Sequence, residues 1–323
     1  MPNLLHALSQ PIPKAQRPAH AGVPSTVRHL KQTRWKMRQP LKALPWGNVH
    51  HLAVNHYQVK LPAPVRLESP IRLLQLSDIH YDWFTQDFLE ELAPRLQALQ
   101  PDVIVLTGDF LTVGTGYFDR LQVWLQRLRC LAPCVTVLGN HDYADFAKSR
   151  QLSQLLQHSG WHVLVNDAIQ LKLNNGQSIA LAGLDDFTKG SPDVAGTLAL
   201  LPPANSRIAK VLLVHNPAQF NLPAHPQTWA GVAHLALCGH THGGQFRSPH
   251  WLSAWLTESP FVKGWHSIDS HTAEGGLPVY ISDATGTAGV TFNIPVEPQG
   301  SFLTLPVPRW GMLPEVTLHL LHS

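Results

Sequence analysis

In this 323-residue sequence, the residues able to do chemistry gather where apolar runs stop. Val135-Thr136-Val137-Leu138 leads straight into Gly139-Asn140-His141-Asp142. A glycine after a buried strand lets the backbone turn sharply, so the next side chains project from the carboxyl edge of a sheet. Those side chains are an amide, whose carbonyl suits hard cations, an imidazole, which can move a proton, and a carboxylate. The same types also populate ordinary turns, so four residues alone decide nothing. The pattern recurs at four other run ends. Ile71–Leu76 ends in Ser77-Asp78-Ile79-His80, and Val103–Leu106 ends in Thr107-Gly108-Asp109. Val211–Val214 leads to His215-Asn216-Pro217, and Leu235–Cys238 leads to Gly239-His240-Thr241-His242.

Seven of these side chains, Asp78, His80, Asp109, Asn140, His215, His240 and His242, are oxygen or imidazole donors for hard or borderline divalent metals. None is a thiolate. Asp-x-His and His-x-His put two donors on one face of an extended segment, because strand side chains alternate. Seven donors exceed what one tetrahedral ion takes. They suit two ions about 3.5–4 Å apart that share a bridging carboxylate. Two such cations make hydroxide available from a bridging water near neutral pH and neutralise phosphoryl oxygens during in-line attack. His141, the remaining strand-end imidazole, is the candidate catalytic residue, stabilising that charge or protonating the leaving oxygen. The chain has 20 histidines, so decoys are expected. His50, His51, His158, His162, His225, His250, His266, His271, His319 and His322 are assigned to surface or packing roles.

The elements that must hold these residues alternate. Apolar spacing predicts a helix over residues 85–100, closed before Pro101, a second over about Tyr117–Arg129 and a third ending near His158. Strand–helix alternation at this period argues for parallel strands with helical crossovers. From Ile169 the rhythm shifts to shorter strands, with Asn174-Asn175-Gly176 as hairpin chemistry. Val279–Ser282, Val290–Ile294 and Val316–Leu321 read as further β elements. The expectation is α/β, with two sheets face to face and helices outside. His50–Leu61 reads as an edge strand opening one domain over residues 50–323.

Residues 1–49 read as a basic extension, peripheral or partly disordered. Ten Lys or Arg precede the first acidic residue, Glu68, whereas 14 basic face 21 acidic residues beyond it. A short cationic helix is expected over His29–Arg38, stopped by Pro40, as a loose tail or a contact to an anionic membrane surface. Cys130, Cys134 and Cys238 do not make a disulfide framework or zinc spacing and read as buried free thiols. No apolar run reaches the roughly 18–20 residues of a membrane span, and no signal peptide is visible. The expectation is cytoplasmic, with peripheral attachment to the inner face of the membrane. No nucleic-acid partner is expected. No phosphate-binding glycine loop, nucleophile elbow or dinucleotide fingerprint competes with the metal reading.

The series Asp78-x-His80, Gly108-Asp109, Gly139-Asn140-His141-Asp142, His215 and Gly239-His240-Thr241-His242 resembles the calcineurin-like metallophosphoesterase superfamily, its five motifs in family order. The resemblance implies a four-layer α/β/β/α sandwich of two mixed sheets with a dinuclear centre at one end. By motif position it implies that Asp78, His80, Asp109 and His242 hold one metal. Asp109, Asn140, His215 and His240 would hold the other, with Asp109 bridging. Mn2+ is the first expectation, with Fe, Zn2+ and Mg2+ as alternatives. Gly183-Leu184-Asp185-Asp186, His215-Asn216-Pro217, Gly243-Gly244-Gln245 and Pro314-Glu315-Val316-Thr317 look like the bacterial, lipid-directed phosphodiesterases of this superfamily. Those act on phospholipids or on the pyrophosphate of UDP-2,3-diacylglucosamine. Thr112 stands where many members carry an acidic residue. Asp142, Asp186, Gln245, Trp251 and Trp255 are expected to face substrate, the last two within an apolar segment at 246–266 that would clasp acyl chains or pack over its own core. The rival readings are hydrolysis of soluble nucleotides or phosphoproteins, and a non-catalytic scaffold. A scaffold would have lost ligands, and none of the seven is missing.

Overall fold

The structure, a computed structural model, describes residues 23–42, 49–112, 117–143, 146–221, 229, 231–244, 261–268, 276–287, 289–294, 301–306 and 313–323. The strands are β1 (Val27–Leu41), β2 (Val49–Lys60), β3 (Ile71–Leu76), β4 (Val103–Thr107), β5 (Cys134–Val137), β6 (His162–Val163), β7 (Asp167–Lys172), β8 (Ser178–Gly183), β9 (Ala209–Val214), β10 (Leu235–Cys238), β11 (Gly264–Ile268), β12 (Leu277–Ile281), β13 (Gly289–Ile294), β14 (Ser301–Pro306) and β15 (Glu315–His322). The helices are α1 (Gln86–Leu96), α2 (Phe118–Arg129), α3 (Phe146–His158) and α4 (Val194–Ala199).

Two mixed sheets carry the fold. One has the order β1-β2-β15-β3-β4-β5-β6, the other β11-β12-β10-β9-β8-β7, and β13 pairs with β14 in a separate ribbon. The central strands β3, β4 and β5 are mutually parallel, as are β8, β9, β10 and β12. Every residue of β4 and β9 is buried. That explains their unbroken Val/Ile/Leu runs, since a parallel strand is covered on both faces.

Three apolar clusters define four layers. The first packs α1, α2 and α3 on the outer face of the larger sheet through Phe88, Leu92, Trp124, Leu128 and Leu152. The second, with Leu73, Val105, Val137, Leu181, Val211 and Leu237, fills the space between the sheets. The third puts Leu198 of α4 and Phe220 against the outer face of the smaller sheet. Full burial of each such side chain contributes about 1.5–3 kcal/mol. Two indole N–H groups of the first cluster keep partners: Trp124 Nε1 donates to Leu89 O at 2.7 Å and Trp161 Nε1 to Leu125 O at 3.1 Å.

The amino-terminal region differs from expectation. His29–Arg38 is not helical; it lies in β1, which pairs antiparallel with β2 over most of its length. The apolar residues on this strand explain the change. Trp35, Met37 and Leu41 pack on the helix-side core, and a strand can place them there while its basic residues stay in water. Arg28, Lys31, Arg34, Lys36 and Arg38 are all exposed. The edge strand is therefore β1, and β2 is internal. The domain boundary drawn at residue 49 falls inside a β-hairpin that belongs to the larger sheet. Cys134 and Cys238 are buried free thiols as expected, but Cys130 is exposed at the end of α2. No helix among the described residues is long and apolar enough to cross a membrane.

Candidate metal centre

Parallel strands bring their carboxyl ends to one edge of each sheet, and five of those ends meet. Asp78 and His80 follow β3, Asp109 follows β4, Asn140 and His141 follow β5, His215 follows β9, and His240 and His242 follow β10. The backbone there is unusual. Among the described residues, Asp78, His80, Asp109, His240 and His242 all have positive φ, between 42° and 72°. A non-glycine residue in this region costs on the order of 1–3 kcal/mol and persists only where its surroundings over-determine it. Here they do. Asp78 N donates to Gly108 O at 3.0 Å, His80 N to Asp109 O at 3.1 Å, and His240 N to Asp78 Oδ1 at 2.9 Å.

The donors fall into two groups. Asp78, His80, Asp109 and His242 form one, and Asp109, His215 and His240 the other, with each group's ligand atoms within 4.8 Å of one another. Asp109 belongs to both. Its Oδ2 is 3.6 Å from His80 Nε2 and its Oδ1 3.5 Å from His215 Nε2, so one carboxylate faces each group with one oxygen. Asn140 completes the second group: its Oδ1 is 3.1 Å from His215 Nε2 and 2.9 Å from His240 Nδ1. In the first group, His80 and His242 meet through Nε2 atoms 3.1 Å apart, and His242 Nε2 is 3.4 Å from Asp78 Oδ1. His215 Nδ1 lies 2.7 Å from Thr107 O. That contact selects the tautomer that leaves Nε2 free for a ligand. Two glycines allow the approach. A Cβ at Gly139 would overlap Asp109 Oδ1 and His215 Cε1, and one at Gly239 would overlap Ser77 Oγ and Asp78 Oδ2.

The electrostatics of the protein alone suit bound cations. Burial drives His80 and His240 down to about 3, so both imidazoles keep a free lone pair. Burial also lowers His215, but the Asp109 charge outweighs it and holds this imidazole well above its usual value. Asp109 is raised by burial and pulled down further by His215 and His141, so it stays ionised. Burial pushes Asp78 up to about 7. The buried carboxylate Asp109 is thus balanced by a proton on His215, a charge that a divalent ion would replace. Oxygen and imidazole donors in two sets around a shared carboxylate fit two such ions.

His141 sits on the open side of the cluster, half-buried beside Asn140 and His240. Its ring centroid is 5.0 Å from that of His80, its backbone N donates to Asp109 Oδ1 at 3.0 Å, and its Nδ1 is 3.4 Å from Thr112 O. At Thr112, which offers no acidic side chain, the main-chain carbonyl faces the ring instead.

Two residues expected on substrate are elsewhere. Asp142 is buried beneath the loops, its Oδ2 accepting from Gly139 N (2.9 Å) and Asp109 N (3.0 Å), its Oδ1 from Phe110 N (2.9 Å) and Leu111 N (3.3 Å). Burial and then the Asp109 charge push it up to about 8, with the Gly139 and Leu111 amides opposing. It braces these loops, because four converging buried amide donors need an acceptor. Asp186 is also buried. Its Oδ1 accepts from Thr188 N, Thr188 Oγ1 and Lys189 N, capping the turn after β8. Gln245, Trp251 and Trp255 lie outside the described residues. Phe261, Val262 and Trp265, from the same apolar segment, are buried. Trp265 packs between Tyr57, Tyr280 and His319, so this part of the segment is core.

Sequence reasoning also missed Ser77 and Thr107, whose hydroxyls lie under Asp78. The available signal was a small hydroxyl residue ending each of two buried runs beside a ligand.

Known proteins agree with this geometry. Residues 71–244 match the family described as calcineurin-like phosphoesterase. The chain is 32% identical over 224 residues to the phosphodiesterase YaeI of Escherichia coli, covering 68% of this chain and 76% of that one. It is 29% identical over 237 residues to the metallophosphoesterase YkuE of Bacillus subtilis, covering 72% and 78%. It is 26% identical over 261 residues to the UDP-2,3-diacylglucosamine pyrophosphatase LpxG of Chlamydia trachomatis, covering 64% and 75%. With the family match spanning more than half of its length and the ligand groups assembled at its strand ends, this chain belongs to the calcineurin-like phosphoesterases and is a metallophosphoesterase.

Proposed function

We propose that this enzyme is a two-metal phosphohydrolase cleaving a phosphodiester or pyrophosphate bond in a lipid-linked substrate, at the surface of an anionic membrane. The observation that carries the metal reading is the pair of donor groups sharing Asp109. Asp78, His80, Asp109 and His242 would hold one ion, and Asp109, Asn140, His215 and His240 the other. A set of carboxylate, amide and imidazole donors without sulfur suits Mn2+, with Fe, Zn2+ or Mg2+ also compatible. When bound, two such ions supply Lewis acidity, lowering the pKa of a water and neutralising phosphoryl charge.

The chain's own residues do the rest. Asp109 is held between the two groups by its contacts to His80 and His215. His141, with Nδ1 on the Thr112 carbonyl, keeps Nε2 for a phosphoryl or leaving-group oxygen. With Nδ1–H given to that carbonyl, only the imidazolium form carries a second proton on Nε2; that proton would stabilise the developing charge and pass to the departing oxygen, leaving the ring neutral.

Two observations support the lipid. One relative is a UDP-2,3-diacylglucosamine pyrophosphatase by name. The β1–β2 hairpin exposes Arg28, Lys31, Arg34, Lys36 and Arg38 and carries no acidic residue. Near an anionic leaflet each such cation contributes up to about 1 kcal/mol, less at high salt. These exposed cations support a peripheral attachment to the inner face of a membrane.

The test is a turnover comparison on the purified chain with Mn2+: UDP-2,3-diacylglucosamine, phospholipid vesicles, nucleotide diesters and bis(p-nitrophenyl) phosphate. Acylated substrates should be preferred, Asp109→Ala should abolish all turnover, and Lys31→Glu/Arg34→Glu should weaken sedimentation with anionic vesicles. Turnover on nucleotides with none on any acylated substrate would sink the lipid assignment. Full activity in Asp109→Ala would sink the two-metal reading.

A further inference from the structure

Behind Asp78 runs a line of polar side chains that crosses the space between the two sheets. His319 of β15 meets Gln75 of β3 through Nε2 and Oε1 at 3.1 Å. The Gln75 amide nitrogen donates to Cys238 O at 3.0 Å and toward Thr107 Oγ1 at 3.4 Å. Thr107 Oγ1 donates to Ser77 Oγ at 2.6 Å, and Ser77 Oγ donates to Asp78 Oδ2. All five residues are buried, none more than 1% exposed.

The chemistry of each member fixes the direction of the line. Cys238 O can only accept, so the group of Gln75 that faces it must be the NH2, which turns Oε1 toward His319. His319 must then carry its proton on Nε2. Burial drives this imidazole down to about 3, so it is neutral, and its Nδ1 has no partner among the aromatic rings of Tyr57, Trp265 and Tyr280. The Thr107 hydroxyl receives from Gln75 and has one proton left, for Ser77. The Ser77 hydroxyl receives from Thr107 and has one proton left, for Asp78. Every dipole in the line points its positive end at the same carboxylate.

We propose that Ser77, Thr107, Gln75 and His319 are positioning residues that turn Asp78 for its metal and set the affinity of the position it shares with His80 and His242. His240 N is shared between the two oxygens of Asp78, at 2.9 Å to Oδ1 and 3.0 Å to Oδ2, but the Ser77 hydroxyl donates to Oδ2 alone, so Oδ1, 3.4 Å from His242 Nε2, is the oxygen turned to the donor group. Hydrogen bonds to a ligand's second atom fix its orientation, and losing one lowers metal affinity by roughly 10–100-fold. The relay touches one donor group directly. Its contact with the other is the Thr107 carbonyl on His215, a main-chain atom that side-chain substitution leaves in place. The relay should therefore act on one metal position and spare the other.

The inference rests on the two-metal reading, and Mn2+ binding to the metal-stripped full-length chain tests each separately. Wild type should bind two Mn2+, as followed by electron paramagnetic resonance of the free ion. Ser77→Ala and Thr107→Val should each weaken one of the two by about 10–100-fold while leaving the other within twofold, and Thr107→Ser should restore the wild-type isotherm. Wild type binding fewer than two ions overturns the metal reading and the relay with it. Two unchanged sites in folded Thr107→Val, equal weakening of both sites, or failure of Thr107→Ser to rescue overturns the relay alone. Thr107→Val is nearly isosteric and keeps the fold testable if Ser77→Ala does not.

Discussion

Asp142→Asn isolates what the brace beneath the metal loops contributes. The substitution keeps shape and volume but replaces one carboxylate oxygen by an NH2 group. Each oxygen of Asp142 now serves two backbone amides, Oδ2 those of Gly139 and Asp109, Oδ1 those of Phe110 and Leu111. Whichever way the new amide turns, two buried N–H donors face a third donor. A buried donor left without an acceptor costs about 1–3 kcal/mol, so the loss should be about 2–6 kcal/mol. At roughly 2–4 °C per kcal/mol for a domain approaching this size, the melting temperature falls by about 4–24 °C. The assay is urea unfolding of wild type and variant in EDTA, which removes metal linkage from the comparison, at about pH 9, above the value near 8 to which burial pushes Asp142, so that both of its oxygens accept. The variant should also bind Mn2+ more weakly, since the orphaned amides belong to the loops that carry Asp109 and Asn140. A stability loss below about 1 kcal/mol would mean that water satisfies those amides, and the account of Asp142 as a brace would be wrong.

Two further outcomes follow from named groups. His141→Ala should keep both metals and lose most turnover, with a smaller loss on a nitrophenyl ester whose leaving group needs no proton; metal content that collapses in this variant would make His141 a ligand. Burial and then the Asp283 charge push Glu315 up to about 7 from 4.5, so the folded form keeps a proton that the unfolded chain sheds. Stability from this group is complete below about pH 4.5 and is lost as pH rises through 7, by at most about 3 kcal/mol. Glu315→Gln should flatten that part of the curve in urea titrations between pH 4.5 and 8, and parallel curves for the two proteins would place the titration elsewhere.

The candidate site was legible because its donor residues end parallel strands, and a buried parallel strand writes itself as an apolar run with a hard stop. Asp78, Asp109, Asn140, His215 and His240 could each be named from that stop. What supports them could not. Nothing around Asp142 in the sequence says that four amides converge on it, because three of them belong to residues 109–111. His319 looked like one more histidine of a histidine-rich chain; its partner Gln75 lies 244 positions away. At the amino terminus the density of Lys and Arg hid a strand. The apolar Trp35, Met37 and Leu41 are spaced for either a strand or a helix turn, and tertiary pairing with β2 decided between them.

The placement of β15 has a consequence for how the molecule is made. It lies between β2 and β3, parallel to one and antiparallel to the other. Some 240 residues separate the end of β3 from the start of β15. At about 5–20 residues per second, synthesis keeps β2 and β3 waiting for roughly 12–50 s with open, hydrogen-bond-hungry edges. Throughout that interval β3 has β4 to lean on but no neighbour on its other side, and Glu315, whose carbonyl receives the Thr285 hydroxyl that props Ser77, has not yet been translated. The nascent chain can assemble its βα units early, but the loop bearing Asp78 is finished only when the strand Glu315–His322 arrives.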